Sequence, residues 1–263
     1  MRAFALLLAC SLLVASYSAD AKPVRAVSLN LCTDELLLAL ADDAQVASVS
    51  YLSRQSSETA YWQRARHFRP NDGSLLSVAS LKPDLVLTMG GGVRDRASIA
   101  RRVRIRVVDL PYPQSFADME ASVARAAAAL GQQARGQQLL DRLRQLRRTA
   151  PARVVDTIWL GGGGRTVPAT GLAAEWMRLA GLRQRGFRGD RVTLEQLLTS
   201  PPRVLLRSDY RHGEYSGEQR WMNHPLARRT RAGKTLATDV RRWTCMGPSL
   251  LPEILRLRRE LGS

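Results

Sequence analysis

Apolar and polar positions first separate cleanly at Val24–Leu40, VRAVSLNLCTDELLLAL, where a short apolar run, a polar turn and a leucine-rich stretch predict a buried strand followed by an amphipathic helix. Further short β-rich runs recur at Val46–Val49, Leu85–Leu87 and Ile105–Val108, separated by helical or irregular segments. This alternation predicts a parallel sheet with helices packed on it. The pattern then changes. From Ser115 to Arg148 no strand signal remains, while Phe116, Met119, Val123, Ala127 and Leu130, then Leu139, Leu143 and Leu146, keep helical spacing along one side. A continuous helix there would be about 50 Å long, and Gly131 is the position at which it would bend or divide. Pro151 ends it, and the strand–helix alternation restarts with Val154–Trp159, then Val204–Leu206 and a short run near Leu236.

The second half is well punctuated. Thr193 with Gln196 forms a capping box, and Val192 with Leu197 supplies the hydrophobic pair that sets the angle of the helix start. Leu172, Trp176 and Leu179 make an apolar stripe, with Gly181 where a helix C-terminal glycine belongs. The pattern as a whole predicts an α/β protein of two lobes with parallel sheets, residues 22–114 and 151–263, joined by one long interdomain helix over residues 115–150.

Before Lys22 stands a segment of another kind. Arg2, the apolar run Ala3–Val14 and the small-residue exit Ala19-Asp20-Ala21 have the three-part layout of a secretory leader over residues 1–21. The run is too short to span a bilayer, and no later segment offers the roughly 18 uncharged apolar residues that a crossing needs. A lipid anchor at Cys10, preceded by Leu7-Leu8-Ala9, is the lesser alternative to a cleaved leader.

Charge and cysteines sharpen the picture. The net charge of the 263 residues is +17, nearly all of it arginine scattered through both halves, as in Arg142–Arg148 and Arg256–Arg259. This reads as a solvated basic surface or as attraction to an anionic ligand or membrane surface. No zinc-finger spacing or RNA-binding aromatic motif accompanies the charge, so nucleic acid is not an expected partner. Cys32 and Cys245 remain after the leader. They admit three readings: a disulfide closing a loop worth about 5 kcal/mol in the chain-entropy model, free thiols packed near a ligand, or thiolates on a soft metal helped by Met246 or His212.

Catalytic motifs are missing. Gly90-Gly91-Gly92 and Gly161–Gly164 fit neither nucleotide-binding glycine pattern and read as turns that permit close approach. His67, His212 and His224 are isolated, and no G-x-S-x-G elbow is present. No catalytic residue, metal site or cofactor is therefore expected. The rivals to a binding protein are an exported thiol enzyme using Cys32 and an adaptor that binds only protein.

Five passages, Ala26–Leu40 (AVSLNLCTDELLLAL), Leu81–Leu87 (LKPDLVL), the long helical segment, Val192–Leu198 (VTLEQLL) and Trp243–Pro248 (WTCMGP), together resemble the substrate-binding proteins of bacterial ABC importers, in the helix-linked class (class III) that handles iron–siderophore complexes, haem and cobalamin. The resemblance runs from the first strand to the last helix. It implies a monomeric periplasmic receptor with two Rossmann-like lobes, a ligand held between them, and delivery to an inner-membrane permease.

In open α/β sheets ligands sit beyond the carboxyl ends of the strands, which selects the turns Asn30–Asp34, Tyr51–Arg54, Met89–Arg94, Leu110–Pro113, Gly161–Arg165, Ser208–His212 and Asp239–Cys245. Within them Tyr51, Tyr112, Tyr210 and Trp243 can stack on a flat ligand, and Arg54, Arg94, Arg165 and Arg211 can pair with its anionic edges. Asn30, Cys32, Thr33, Gly91 and Cys245 complete the expected ligand-binding set. The resemblance also implies one exposed acid per lobe for docking on the permease. Glu195 occupies the second-lobe place, whereas Leu76 stands in the first-lobe place, with Asp72 nearby as a substitute.

Overall fold

A computed structural model describes residues 24–91, 105–208 and 217–262; the leader expected over residues 1–21 lies outside them. The first sheet contains β1 (Ala26–Ser28), β2 (Val46–Ser50), β3 (Pro70–Asn71), β4 (Leu85–Met89) and β5 (Arg106–Leu110), in the order β3-β2-β1-β4-β5. The second contains β6 (Val155–Leu160), β7 (Leu182–Gln184), β8 (Val204–Ser208) and β9 (Lys234–Thr238), in the order β7-β6-β8-β9. Every pairing is parallel. Strands β1 and β4 are buried along their whole length, as expected when helices cover both faces of a parallel sheet.

Each sheet has one place where the winding reverses, between β1 and β4 and between β6 and β8. The carboxyl ends flanking these points are Asn30 and Met89–Gly91 in the first lobe, and Gly161 and Ser208 in the second. These are the positions at which an open α/β sheet leaves a crevice.

The connection between the lobes differs from the sequence expectation in one respect. In place of a single helix over residues 115–150 there are two, α4 (Phe116–Leu130) and α5 (Gln133–Arg148), following α1 (Leu31–Leu40), α2 (Trp62–Ala65) and α3 (Leu75–Ala79). Gly131 divides them. It adopts φ +71°, and the backbone N–H groups of Gln132 and Gly131 donate to the carbonyls of Ala127 and Ala128, closing α4 in a Schellman motif. The chain then doubles back, so that the end of α5 meets the start of α4: Arg147 pairs with Glu120 at 3.3 Å and lies over the Phe116 ring at 5.5 Å. The apolar stripe that suggested one strut therefore belongs to two helices packed on each other.

That packing rests on Gly136 of α5, where an added Cβ would come within 2.4 Å of the Ala127 Cβ. Glycine inside a helix costs about 1 kcal/mol relative to alanine, but forcing a methyl group into a tight contact costs about 1–3 kcal/mol. Gly136→Ala is thus expected to lower stability by up to about 2 kcal/mol. A urea midpoint that rises instead would show that the helix pair separates freely.

One apolar cluster runs through both lobes and the helix pair, from Leu37, Leu87 and Leu110 through Val123 and Leu143 to Trp176, Leu206 and Leu257. Phe116 and Trp176 meet across it with ring centroids 4.6 Å apart. In the second lobe lie α6 (Gly171–Leu179), α7 (Leu194–Thr199), α8 (Gly217–Met222), α9 (Pro225–Arg228), α10 (Val240–Trp243) and α11 (Leu251–Leu261). Buried Arg258 of α11 donates to the carbonyls of Leu146 and Leu179 and to Thr149 Oγ1. It thereby satisfies carbonyls in the last turns of α5 and α6, which no intrahelical donor can reach.

Candidate ligand cleft

The tip of α1 forms part of the first-lobe rim. Asn30 caps the helix, its side-chain oxygen accepting from the Thr33 N–H at 3.0 Å. Thr33 is fully buried, with its hydroxyl 2.7 Å from that of Ser28. These two residues hold the shape of the turn from within its wall. Buried Asp34 accepts from the Ser50 N–H at 3.0 Å and from the Ser50 hydroxyl, fastening α1 to β2. Burial pushes its carboxyl up to about 7 despite these donors.

Glu35 performs the same task across the lobes. It accepts from Thr59 Oγ1 at 2.7 Å in the first lobe and from Ser249 Oγ at 2.8 Å in the second, and burial raises it likewise to about 7. Beside it Cys32 and Cys245 form a disulfide, with Cα atoms 5.2 Å apart. The Asn30–Asp34 and Trp243–Pro248 turns are thus adjacent. The bridge decides among the three cysteine readings: neither sulfur is a free thiol or an available thiolate ligand, and a nucleophilic Cys32 is excluded while the bond is intact.

The remaining first-lobe residues form a lip. Tyr51 and Arg54 lie in the turn after β2 and Tyr112 follows β5. Tyr51 is 52% exposed and Tyr112 61%, which leaves both rings open to contact from outside the lobe. The Tyr112 ring packs against Gly90 so closely that a Cβ there would sit 2.4 Å from the ring, at a backbone φ of +97°. Only glycine meets both conditions. Gly91 is exposed beside it. Arg94, Tyr210 and Arg211 lie outside the described residues.

The second lobe contributes a cavity of about 370 Å³ at the carboxyl ends of β6, β8 and β9. Arg165, Trp243 and Met246 line it, as do Trp159, Thr166 and Ser208. Trp159 and Trp243 approach edge to face with centroids 6.2 Å apart. Trp243 is held by its Nε1–H donating to Thr238 Oγ1 at 2.8 Å, and that hydroxyl donates in turn to Glu253 at 2.6 Å. The Met246 carbonyl accepts from Trp176 Nε1 at 2.9 Å, so the turn carrying Cys245 is anchored to the core. Gly164, at φ +76°, lies where a Cβ would come 2.5 Å from the Val192 carbonyl.

Of the turns read from the sequence, those at Gly161–Arg165, Ser208 and Asp239–Cys245 contribute residues to this cavity, and Cys32, Met89 and Pro113 lie with Cys245 around the bridge. Trp159 and Thr166 were missed as lining residues, whereas Ser208 opens one of the turns selected from the sequence. Trp159 ends a run that read as strand core, and nothing in a period-two pattern marks the last residue of a strand as facing a cavity.

Two further exposed positions lie in equivalent places, on α3 between β3 and β4 and on α7 between β7 and β8. Glu195 is in the first turn of α7 and Leu76, 86% exposed, in the first turn of α3. Asp72 is exposed nearby, accepting from the Ser74 N–H at 2.8 Å. Hydrogen bonding from Ser74 holds its carboxyl down at about 2.

The described chain is similar in fold to several solved structures. The periplasmic haem-binding protein HutB of Vibrio cholerae superposes with a TM-score of 0.69 at 17% identity, covering 91% of this chain and 99% of that one. The periplasmic vitamin B12-binding protein BtuF of Vibrio cholerae gives 0.64 at 17%, covering 92% and 97%. A protein described as an ABC-type Fe3+-hydroxamate transport system, from Saccharomonospora viridis, gives 0.62 at 19%, covering 93% and 95%. No curated relative matches the sequence. The family model described as periplasmic binding protein matches residues 27–237, nearly the whole of both sheets. The chain therefore belongs to the periplasmic binding protein family.

Proposed function

We propose that this protein captures a bulky, partly flat metal chelate or corrinoid, of the iron–siderophore, haem or cobalamin kind, and presents it to the permease of an ABC importer in the inner membrane. The observation that carries this reading is the cleft itself. Exposed Tyr51 and Tyr112 follow strand ends of the first lobe, strand ends of the second border an aromatic-walled cavity, and the Cys32–Cys245 bridge joins the two lobes. Aromatic rings with nearby arginines, Arg54 and Arg165 among the described residues, suit a flat ligand with anionic edges.

The bridge and the shared apolar cluster favour small rocking movements of the lobes over wide closure. Export by the leader places the receptor in the periplasm, and it acts as a monomer. Glu195 is the second-lobe contact for the permease. In the first lobe Asp72 takes that part beside Leu76.

A thermal-shift screen of the mature chain against haem, cobalamin, ferric siderophores and free metal ions tests the reading. A ligand at 100 times its Kd adds about 2.7 kcal/mol, expected here as a rise in Tm of several degrees with one chelate and none with the free ions. If every chelate leaves the midpoint in place, the nutrient-receptor reading falls.

A further inference from the structure

We propose that the base of the second lobe, the end of its sheet where the strands start, is a docking surface for the anionic headgroups of a phospholipid bilayer. The inference goes beyond the receptor role and does not depend on which ligand the cleft takes. Its origin is the net charge of +17, most of which the cleft leaves unused. Because every strand pairing in this sheet is parallel, the starts of β6, β7, β8 and β9 lie along one end of the lobe. Arg153, Arg203 and Arg231 stand just before β6, β8 and β9, Lys234 opens β9, and all four are exposed. The Lys234 backbone N–H donates to the Arg203 carbonyl at 2.8 Å, so these two are neighbours.

A parallel strand is entered from the far end of the helix before it, so helix ends gather at the same base. Arg258 fastens the last turns of α5 and α6 to each other through their carbonyls, and Arg148 and Arg178, exposed in those turns, extend the patch. Cations at the end of a helix answer its dipole. That explanation does not reach Arg153, Arg203 and Arg231, which lie outside the helices. Among the described residues no ion pair or side-chain hydrogen bond holds any of these three. The acids that reach this end, Asp156 and Glu260, are already paired, with Arg185 and Arg256. Like charges crowded on one face repel in the free protein, and an anionic surface laid against them relieves that repulsion.

The spread of the patch favours a surface over a small ion. Four strands at a spacing of about 4.8 Å place its basic groups across roughly 15 Å, wider than one small anion can bridge. A guanidinium pairs with a phosphate oxygen pair in a two-bond fork, and a bilayer presents such phosphates side by side in a plane. The segments Pro151–Val154, Pro201–Arg203 and Thr230–Lys234 carry no aromatic side chain on which a nucleic-acid base could stack. The family is one of periplasmic proteins, and phospholipid bounds that compartment. With the base against a bilayer, the carboxyl ends of the same strands and the cavity they border point away from it. A chain resting there keeps its cleft open to solution.

Co-sedimentation of the mature chain with phosphatidylcholine vesicles tests this. Vesicles containing about 30% phosphatidylglycerol should carry the protein down at about 50 mM salt and release it at about 500 mM, where charges are screened within a few ångströms. Vesicles of phosphatidylcholine alone should not bind it. The Arg153→Gln, Arg203→Gln, Arg231→Gln variant should bind about 100-fold more weakly, at about fivefold per basic residue, with its Tm level or raised. Replacing Arg66, Arg125 and Arg188, exposed elsewhere, by glutamine removes the same charge and should leave most of the binding. Equal losses in the two variants would trace the attraction to net charge and overturn the docking face. Failure to sediment with the anionic vesicles, equal binding to the neutral ones, or a Tm lowered by several degrees in the first variant would do the same. A DNA duplex that holds the chain to higher salt than the vesicles do would give the face another polyanion and overturn the lipid assignment.

Discussion

Replacing Cys32 and Cys245 together by serine is expected to cost about 5 kcal/mol and to lower Tm by about 10–20 °C, the largest single effect in this protein. The sequence separation of 213 residues makes the closed loop almost the whole described chain, and the chain-entropy model puts such a cross-link at about 5 kcal/mol. For a domain of this size each kcal/mol moves Tm by about 2–4 °C. Reductant should reproduce the loss in the wild-type chain and leave the double variant unmoved. The variant should still fold, because the apolar cluster running through both lobes does not depend on the bridge. Equal melting with and without reductant would show that the bond restrains little that packing has not already restrained.

Acidification from pH 8 to pH 5 is expected to stabilise the protein, opposite to the usual consequence of buried carboxylates held in ion pairs. Asp34 and Glu35 are pushed from ordinary values of 3.8 and 4.5 up to about 7, in both cases chiefly by burial. Between about pH 4.5 and 7 the folded chain therefore holds protons that the unfolded chain has released, so stability falls as pH rises through that window. Each group contributes a slope of at most about 1.4 kcal/mol per pH unit, and the two together amount to several kcal/mol across it. Below about pH 4 the trend reverses. Asp72, held down by its hydrogen bond from Ser74, and Asp118, held down by Ser115, take up protons more readily once unfolded.

The resulting stability maximum should lie near pH 5. Glu35→Gln is expected to remove about half of the neutral-side slope while keeping an amide oxygen for one of Thr59 and Ser249 and turning an N–H to the hydroxyl of the other, which can accept it, and Asp34→Asn should remove the other half. Urea midpoints at half-unit intervals of pH decide this. A flat profile between pH 5 and 7 would mean that both carboxyls stay ionised in the folded state.

These two effects arise at one place, the first turn of α1, where residues 32, 34 and 35 each fasten the helix to something distant. The sequence showed that this turn follows a buried strand and opens an amphipathic helix. It gave no reason to regard Asp34 or Glu35 as anything but exposed acids at a helix start. Their partners, Ser50, Thr59 and Ser249, are separated from them by 16, 24 and 214 residues, and no local pattern carries such pairings. Gly131 shows the opposite case. It was legible as a point of division, but whether α4 and α5 continue or fold back depends on the fit of Gly136 against Ala127, a contact that exists only once the pair has formed.

Period and punctuation were enough to establish two parallel α/β units and the helical region between them, because strand burial, helix capping and crossover handedness are short-range consequences of residue type. The Thr193–Gln196 capping box appears at the start of α7 as read. Tertiary structure alone decided that Cys32 meets Cys245, that Glu35 spans the lobes, and that Trp159, Thr166 and Ser208 surround one cavity. Each of these depends on the distance between segments remote in sequence, and such a distance is set by how whole sheets and helices pack rather than by the residues on either side.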